Sequence, residues 1–143
     1  MKIDHDLTLK LLTLAKNSGC KYLALISAAN ASASSIFLYS KTKGILENDT
    51  INLQFPALRI YRPALIQVKR QEERLGEEVA LILAPLLDLC SFGRAAVEVE
   101  VLAEALLLDA LKYGTAESIE AEPKLLFISN KQIKASSDGK DKQ

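Results

Sequence analysis

The sequence predicts an α/β domain: a partial, doubly wound parallel sheet with helices on both faces that lacks the first β-α-β units of a complete fold. Three observations lead there. Short apolar runs of strand length alternate with longer segments of helical periodicity, the order of successive β-α-β units. The mean hydropathy of +0.11 is high for so small a domain, as expected where strands are buried on both faces of a sheet. The 143 residues suit one compact core, and the first element is a helix with no strand before it.

Asp6 stands as N-cap for a helix over residues 7–17, with Leu7, Leu11, Leu14 and Ala15 at helical spacing and Gly19 just past its end. Residues 21–27, Lys-Tyr-Leu-Ala-Leu-Ile-Ser, form a continuous apolar run that reads as a buried parallel strand feeding the small-residue loop 28–35. Ser34 or Ser35 caps a second helix over residues 36–46, which Asn48-Asp49 ends. Residues 57–62 are a strand closed by Pro63, and residues 64–68 a second apolar run. After a charged turn, residues 77–89 read as a helix kinked or divided at Pro85. A short strand at 96–99, a helix at 100–113 stopped by Gly114, a strand at 125–128 and a turn of helix at 130–134 follow. Residues 1–134 form the domain, and residues 135–143 are expected to be a disordered polar tail.

Composition excludes several functions. Lys+Arg and Asp+Glu are both 18, a net charge of zero, so no basic field attracts nucleic acid. The longest apolar stretch, residues 79–87, is interrupted by Pro85 and is far short of the roughly 20 residues of a membrane span. The acidic N-terminal residues Asp4 and Asp6 do not suit an export signal. Two cysteines, Cys20 and Cys90, with one histidine, His5, fit neither a zinc site nor a disulfide scaffold. A reducing, cytoplasmic setting is expected, both cysteines read as structural, and His5 reads as exposed. Arg59 and Arg62 flank Tyr61; packing or an ion pair is one reading, phosphate contact the other.

One constellation carries chemistry. Tyr39 and Lys43 stand at i and i+4 on one face of the second helix. An ammonium beside a phenol favours the phenolate and draws its pKa, about 10 in an ordinary setting, toward use as a general acid and base. Ser27 ends the first strand twelve residues earlier, at the carboxyl edge where open α/β sheets bind ligands. A hydroxyl there can donate to a developing oxyanion.

A strand-terminal serine, a small-residue loop and then Y-x-x-x-K resemble the catalytic block of the short-chain dehydrogenase/reductases. Within them the chain resembles the atypical, Tat-interacting oxidoreductase-like group. Ala15-Lys16 with Gly19 and Lys21 are similar to that group's A-K-x-x-G-x-K segment. Ser34-Ser35, Phe37-Leu38-Tyr39, Lys43-Gly44 and Glu47 resemble its S-S-x-F-L-Y-x-x-x-K-G-x-x-E block. Arg62-Pro63, and then Arg70-Gln71-Glu72 through Arg74 to Gly76-Glu77, resemble its R-P and R-Q-E-x-R-x-G-E segments.

The resemblance implies an oxidoreductase of Rossmann-like fold that moves a hydride between NADP(H) or NAD(H) and a small carbonyl or alcohol. It gives Tyr39 the role of proton donor or acceptor, Ser27 that of steadying the substrate oxygen, and Lys43 that of supporting Tyr39 and holding the nicotinamide ribose. Arg62, Pro63, Ala64, Leu65 and Ile66 would lie on the cofactor side, and residues 70–77 would face substrate or a partner. The group's G-x-x-G-x-x-G turn, which cradles pyrophosphate, corresponds to nothing in this sequence, whose six glycines are widely spaced. The chain is therefore expected to match the C-terminal catalytic half, inactive until a complementing chain or a homo-oligomer completes it. The alternatives are a non-catalytic interaction or regulatory module and a truncated remnant.

Overall fold

The computed structural model describes residues 2–67, 96–115, 119 and 124–138. The helix expected over 77–89 with Pro85, the segment 70–77, Val68, Cys90 and residues 139–143 of the expected tail lie outside the described residues. A π-helical turn, Lys2–Leu7, leads into α1 (Thr8–Asn17) and β1 (Tyr22–Ile26). Then come α2 (Leu38–Asn52), β2 (Ala57–Arg62), β3 (Leu65–Gln67), β4 (Ala96–Glu98), α3 (Val99–Tyr113), β5 (Leu125–Ser129) and α4 (Asn130–Asp138).

The expected α/β architecture is present. β1, β2 and β5 form a parallel sheet in that order, with Leu25 opposite Ile60 and Ile60 opposite Phe127. Because side chains alternate along a strand, β2 feeds two cores. Leu58 and Ile60 join Leu25, Leu46 and Phe55 beneath α1 and α2. Tyr61 joins Val97, Leu102, Ala105 and Ile133 beneath α3 and α4 on the opposite face. One strand buried on both sides explains why residues 57–62 read as an unbroken run. The runs after Pro63 do not extend this ladder: β3 and β4 pair with each other as a separate parallel sheet. The break lies at Pro63, which has no N–H, and at Ala64, whose N–H donates to Asn130 Oδ1 at 3.0 Å.

Several boundaries differ from expectation, among them the start of α2, which is Leu38 with Phe37 at the cap position rather than residue 36 capped by Ser34 or Ser35. Asp6 does not cap α1; the cap position is Leu7, without a side-chain hydrogen bond, and Asp6 instead accepts from His5 Nδ1 at 2.8 Å. α2 runs through Asn48-Asp49 to Asn52. Leu46 and Thr50 are buried there, and the Thr50 hydroxyl donates to the Leu46 carbonyl at 2.7 Å, so packing overrides the weak helix preference of Asn and Asp. The chain leaves α2 through Gln54, at φ 55°. α4 continues to Asp138 rather than stopping at 134. Fully buried Ile133 anchors it, and the Ser136 hydroxyl donates to the Ile133 carbonyl.

The face under α3 also holds a charge. Arg59 is fully buried with its Nε 3.7 Å from Asp109 Oδ2 and its guanidinium 5.3 Å from the centre of the Tyr113 ring. The Tyr22 hydroxyl donates to the same carboxylate at 2.7 Å. Burial first, and then the Asp109 carboxylate, push the Tyr22 and Tyr61 phenols well above their ordinary range, so both stay neutral donors. Packing with an ion pair is thus the reading that holds for Arg59, and no surface remains for a phosphate.

Ile60→Ala, at a fully buried point of the central strand, is expected to lower unfolding free energy by about 2–5 kcal/mol. Leu11→Ala, on the solvent side of α1, should change it by less than about 0.5 kcal/mol. Urea unfolding of both variants checks the contrast.

Candidate active site

The carboxyl ends of β1 and β2 are tied together beyond the sheet. The Ser27 N–H donates to the Tyr61 carbonyl at 2.7 Å and the Ala29 N–H to the Pro63 carbonyl at 2.9 Å. Ser27 is buried, and its hydroxyl has no hydrogen-bond partner among the described residues. An unsatisfied buried hydroxyl costs stability, and such groups mark strain or function. Here it lies at the carboxyl edge of the sheet, where open α/β folds bind ligands.

The loop after Ser27 folds back on α2. The Ser32 N–H donates to the Ser40 carbonyl at 3.0 Å, and Ser35 Oγ accepts the Phe37 N–H at 3.2 Å, just before the helix rather than capping it. Gly44 makes this close approach possible, since a Cβ there would lie 2.2 Å from the Ser32 carbonyl carbon and 2.3 Å from the Ala33 nitrogen. The backbone atoms in that contact cannot rotate away as a side chain would.

Tyr39, Lys43 and Glu47 recur at four-residue intervals along α2, and their burial grades from solvent into core. Tyr39 is exposed, Lys43 half-buried and Glu47 buried. The Lys43 ammonium lies 5.9 Å from the centre of the Tyr39 ring. Both line a cavity of about 210 Å³ with Asp4, Leu38 and Thr42. Ser27 is not among those lining residues. A larger depression, about 850 Å³, lies at the amino-terminal edge of the sheet by Phe55, Pro56, Leu58 and Leu125; among the described residues Lys124 is the one titratable residue lining it.

The residues expected on the cofactor side have separate fates. Arg62 is engaged by Glu47 through two bonds, Nε to Oε1 at 2.9 Å and Nη2 to Oε2 at 2.5 Å, and its guanidinium stacks 4.4 Å from the centre of the Phe127 ring. That carboxylate raises the Arg62 pKa further, so the charge is permanent. Pro63 is buried, Ala64 is held by Asn130, and Leu65 and Ile66 expose apolar side chains on β3. Sequence reasoning gave neither Glu47 nor Asn130 a contact role. Glu47 carried a signal in its position one turn beyond Lys43; Asn130 carried none.

His5, expected to be exposed, is a half-buried clasp. Its Nε2 donates to Asp49 Oδ2 and its Nδ1 to Asp6 Oδ1, both at 2.8 Å. Two donations require the imidazolium. Cys20 packs against the first core as a structural thiol and donates to the Tyr22 carbonyl at 3.1 Å. Among the described residues no group of three His, Cys, Asp or Glu side chains could hold a metal, and no helix is long and apolar enough to cross a membrane.

With this geometry in hand, two sets of curated proteins bear on the chain. It is 34% identical over 128 residues to Protein HTATIP2 of Rattus norvegicus, which covers 89% of the chain and 52% of that protein. It is 31% identical over 137 residues to Protein FMP52, mitochondrial, of Meyerozyma guilliermondii, covering 93% of the chain and 57% of that protein. The chain is homologous to both. A shorter match to Protein FMP52, mitochondrial, of Saccharomyces cerevisiae is 42% identical over 73 residues, 51% of the chain and 32% of that protein. The chain thus spans about half the length of the curated relatives that it matches over most of its own. These similarities agree with the resemblance to an atypical short-chain dehydrogenase/reductase superfamily. No protein-family model matches the chain.

Two outcomes follow from the geometry. Gly44→Ala is expected to destabilise by about 1–3 kcal/mol through forced displacement of the Ser32 backbone, checked by chemical unfolding. For His5, the hydrogen bonds it donates to Asp6 first and Asp49 second raise its pKa above the ordinary 6.5. The folded-state value exceeds the unfolded one, so the clasp contributes fully below about 6.5 and is lost as pH rises through the raised value. His5 is the one histidine, so proton NMR of its ring should show a midpoint above that of an unfolded peptide. Asp6→Asn should lower that midpoint.

Proposed function

We propose that this chain is the catalytic part of a short-chain dehydrogenase-type oxidoreductase, acting on a small carbonyl or alcohol with Ser27, Tyr39 and Lys43. The observation that carries the reading is the Ser27 hydroxyl, buried and without a partner among the described residues at the carboxyl edge of the sheet. The adjoining helix presents an exposed Tyr39 with an ammonium beside its ring.

The residues present fit the nicotinamide end of a dinucleotide. Lys43 offers donors to a ribose, and exposed Leu65 and Ile66 offer apolar surface just beyond Pro63. A bound NADP(H) or NAD(H) supplies the hydride. Ser27 donates its hydroxyl proton in a hydrogen bond to the substrate oxygen, where negative charge grows on reduction. Tyr39 gives its phenolic proton to that oxygen, or takes one from an alcohol in the reverse direction. Lys43 holds a positive charge beside the ring as that proton moves. Arg62 is left out of cofactor contact in this reading, because Glu47 already takes its Nε–Nη2 edge and Phe127 covers a face of its guanidinium.

Coverage of about half of each long-matching relative makes the pyrophosphate-binding part a matter for experiment. The purified chain is titrated with NADPH and with NADH while nucleotide fluorescence and melting temperature are followed. Saturable binding with a raised melting temperature supports the reading. Tyr39→Phe should then keep the fold and lower carbonyl reduction by about 10²–10⁴-fold, the usual worth of a general acid; unchanged turnover would sink it. A non-catalytic interaction module is the second reading, favoured by the exposed Leu7 just before α1 and Leu11 and Leu14 along it. Absence of nucleotide binding by the folded chain would select either that module or a half-domain that needs a complementing chain, and nucleotide binding restored by such a chain separates the two.

A further inference from the structure

We propose that Glu47 and Arg62 are positioning residues that set where the helix carrying Tyr39 and Lys43 stands relative to Ser27. The proposal rests on the oxidoreductase reading and departs from the resemblance, which places Arg62 on the cofactor.

Arg62 ends β2, between the two residues whose carbonyls hold the loop. Tyr61 accepts the Ser27 N–H and Pro63 accepts the Ala29 N–H. The backbone on either side of Arg62 therefore fixes Ser27, while its side chain grips α2 one turn beyond Lys43. Two parallel N–H···O bonds to one carboxylate define both the translation and the rotation of the helix, which a single bond does not. Stacking on Phe127 of β5 fixes the guanidinium plane in turn.

Stability alone is a weak reason for a buried carboxylate here. Taking Glu47 out of water offsets much of what the pair gains, and apolar side chains of similar size hold two elements together as well. What apolar packing does not supply is a unique register. Loop contacts from Ser32 to Ser40 and Gly44 complete a triangle of β1, β2 and α2. Loss of the Glu47 to Arg62 bonds leaves that loop as the remaining hydrogen-bonded tie described between Ser27 and Tyr39.

The test uses the full chain as wild type, Glu47→Gln, Arg62→Lys and the double variant; Glu47→Asp replaces the first if it does not fold. Site-resolved amide exchange is expected to quicken about tenfold at Ala29 and Ser32 in each single variant, with the central amides of β2 unchanged, as for a local opening. With NADPH and phenanthrenequinone, kcat should fall about a hundredfold, the scale of a small misplacement, at unchanged KM for NADPH. The double variant should be no worse than the worse single one. Uniform quickening at all amides, or none, overturns the proposal. So does an NADPH KM raised by Arg62→Lys and not by Glu47→Gln, which makes Arg62 a nucleotide ligand. If the wild type turns over no quinone, the reading of the chain as an oxidoreductase by itself fails separately, and the exchange pattern still decides whether the pair holds loop to helix.

Discussion

Burial of β2 on both faces is the constraint from which the rest of the structure follows. Residues 57–61 are buried, and the strand is flanked by parallel neighbours on either side. Its odd and even positions must therefore be solved independently. One face is met with aliphatic packing against α1 and α2. The other accommodates Arg59 and Tyr61, and it does so by bringing Asp109 of α3 inward as a common partner. A buried cation without that carboxylate would cost several kcal/mol, so the placement of α3 is as much an electrostatic requirement as a hydrophobic one.

The same strand organises the chemistry at its carboxyl end. Parallel pairing brings the ends of β1, β2 and β5 to one edge, and a helix leaving that edge begins there. Tyr39 is in the first turn of such a helix and Ser27 at the end of such a strand. Their common edge is a consequence of strand polarity and does not depend on any particular side-chain contact. The finer placement depends on Gly44, which lets the loop lie against α2, and on the Glu47 carboxylate. Homology to HTATIP2 and FMP52 spans both elements within matches that take in most of the chain.

The polar groups at the periphery repeat this theme. The N-terminal turn has few buried apolar side chains, and it is held to α2 by His5 between Asp6 and Asp49. A clasp made from a titratable ring couples the turn's docking to pH in a way that a leucine would not. It also places Asp4 at the cavity shared by Tyr39 and Lys43.

Much of this was legible in the chain. Residues 57–62 matched the observed strand at both ends, because a strand buried on two faces is written as a continuous apolar run and Pro63 marks its limit. The i, i+4 relation of Tyr39 and Lys43 is likewise local and survived intact. The length of α2 was not legible, since Asn48-Asp49 carries the local mark of a helix end while distant residues hold it helical. What sequence determined by itself was the alternation of strands and helices and the edge to which Ser27 and Tyr39 belong, both set by periodicities within a few residues. What only the tertiary structure decided was the partner of each charge. Glu47 with Arg62, His5 with Asp49 and Tyr22 with Asp109 are separated by 15, 44 and 87 positions. A charged residue on a helix has the same local pattern whether water or another chain segment satisfies it, and packing alone makes that choice.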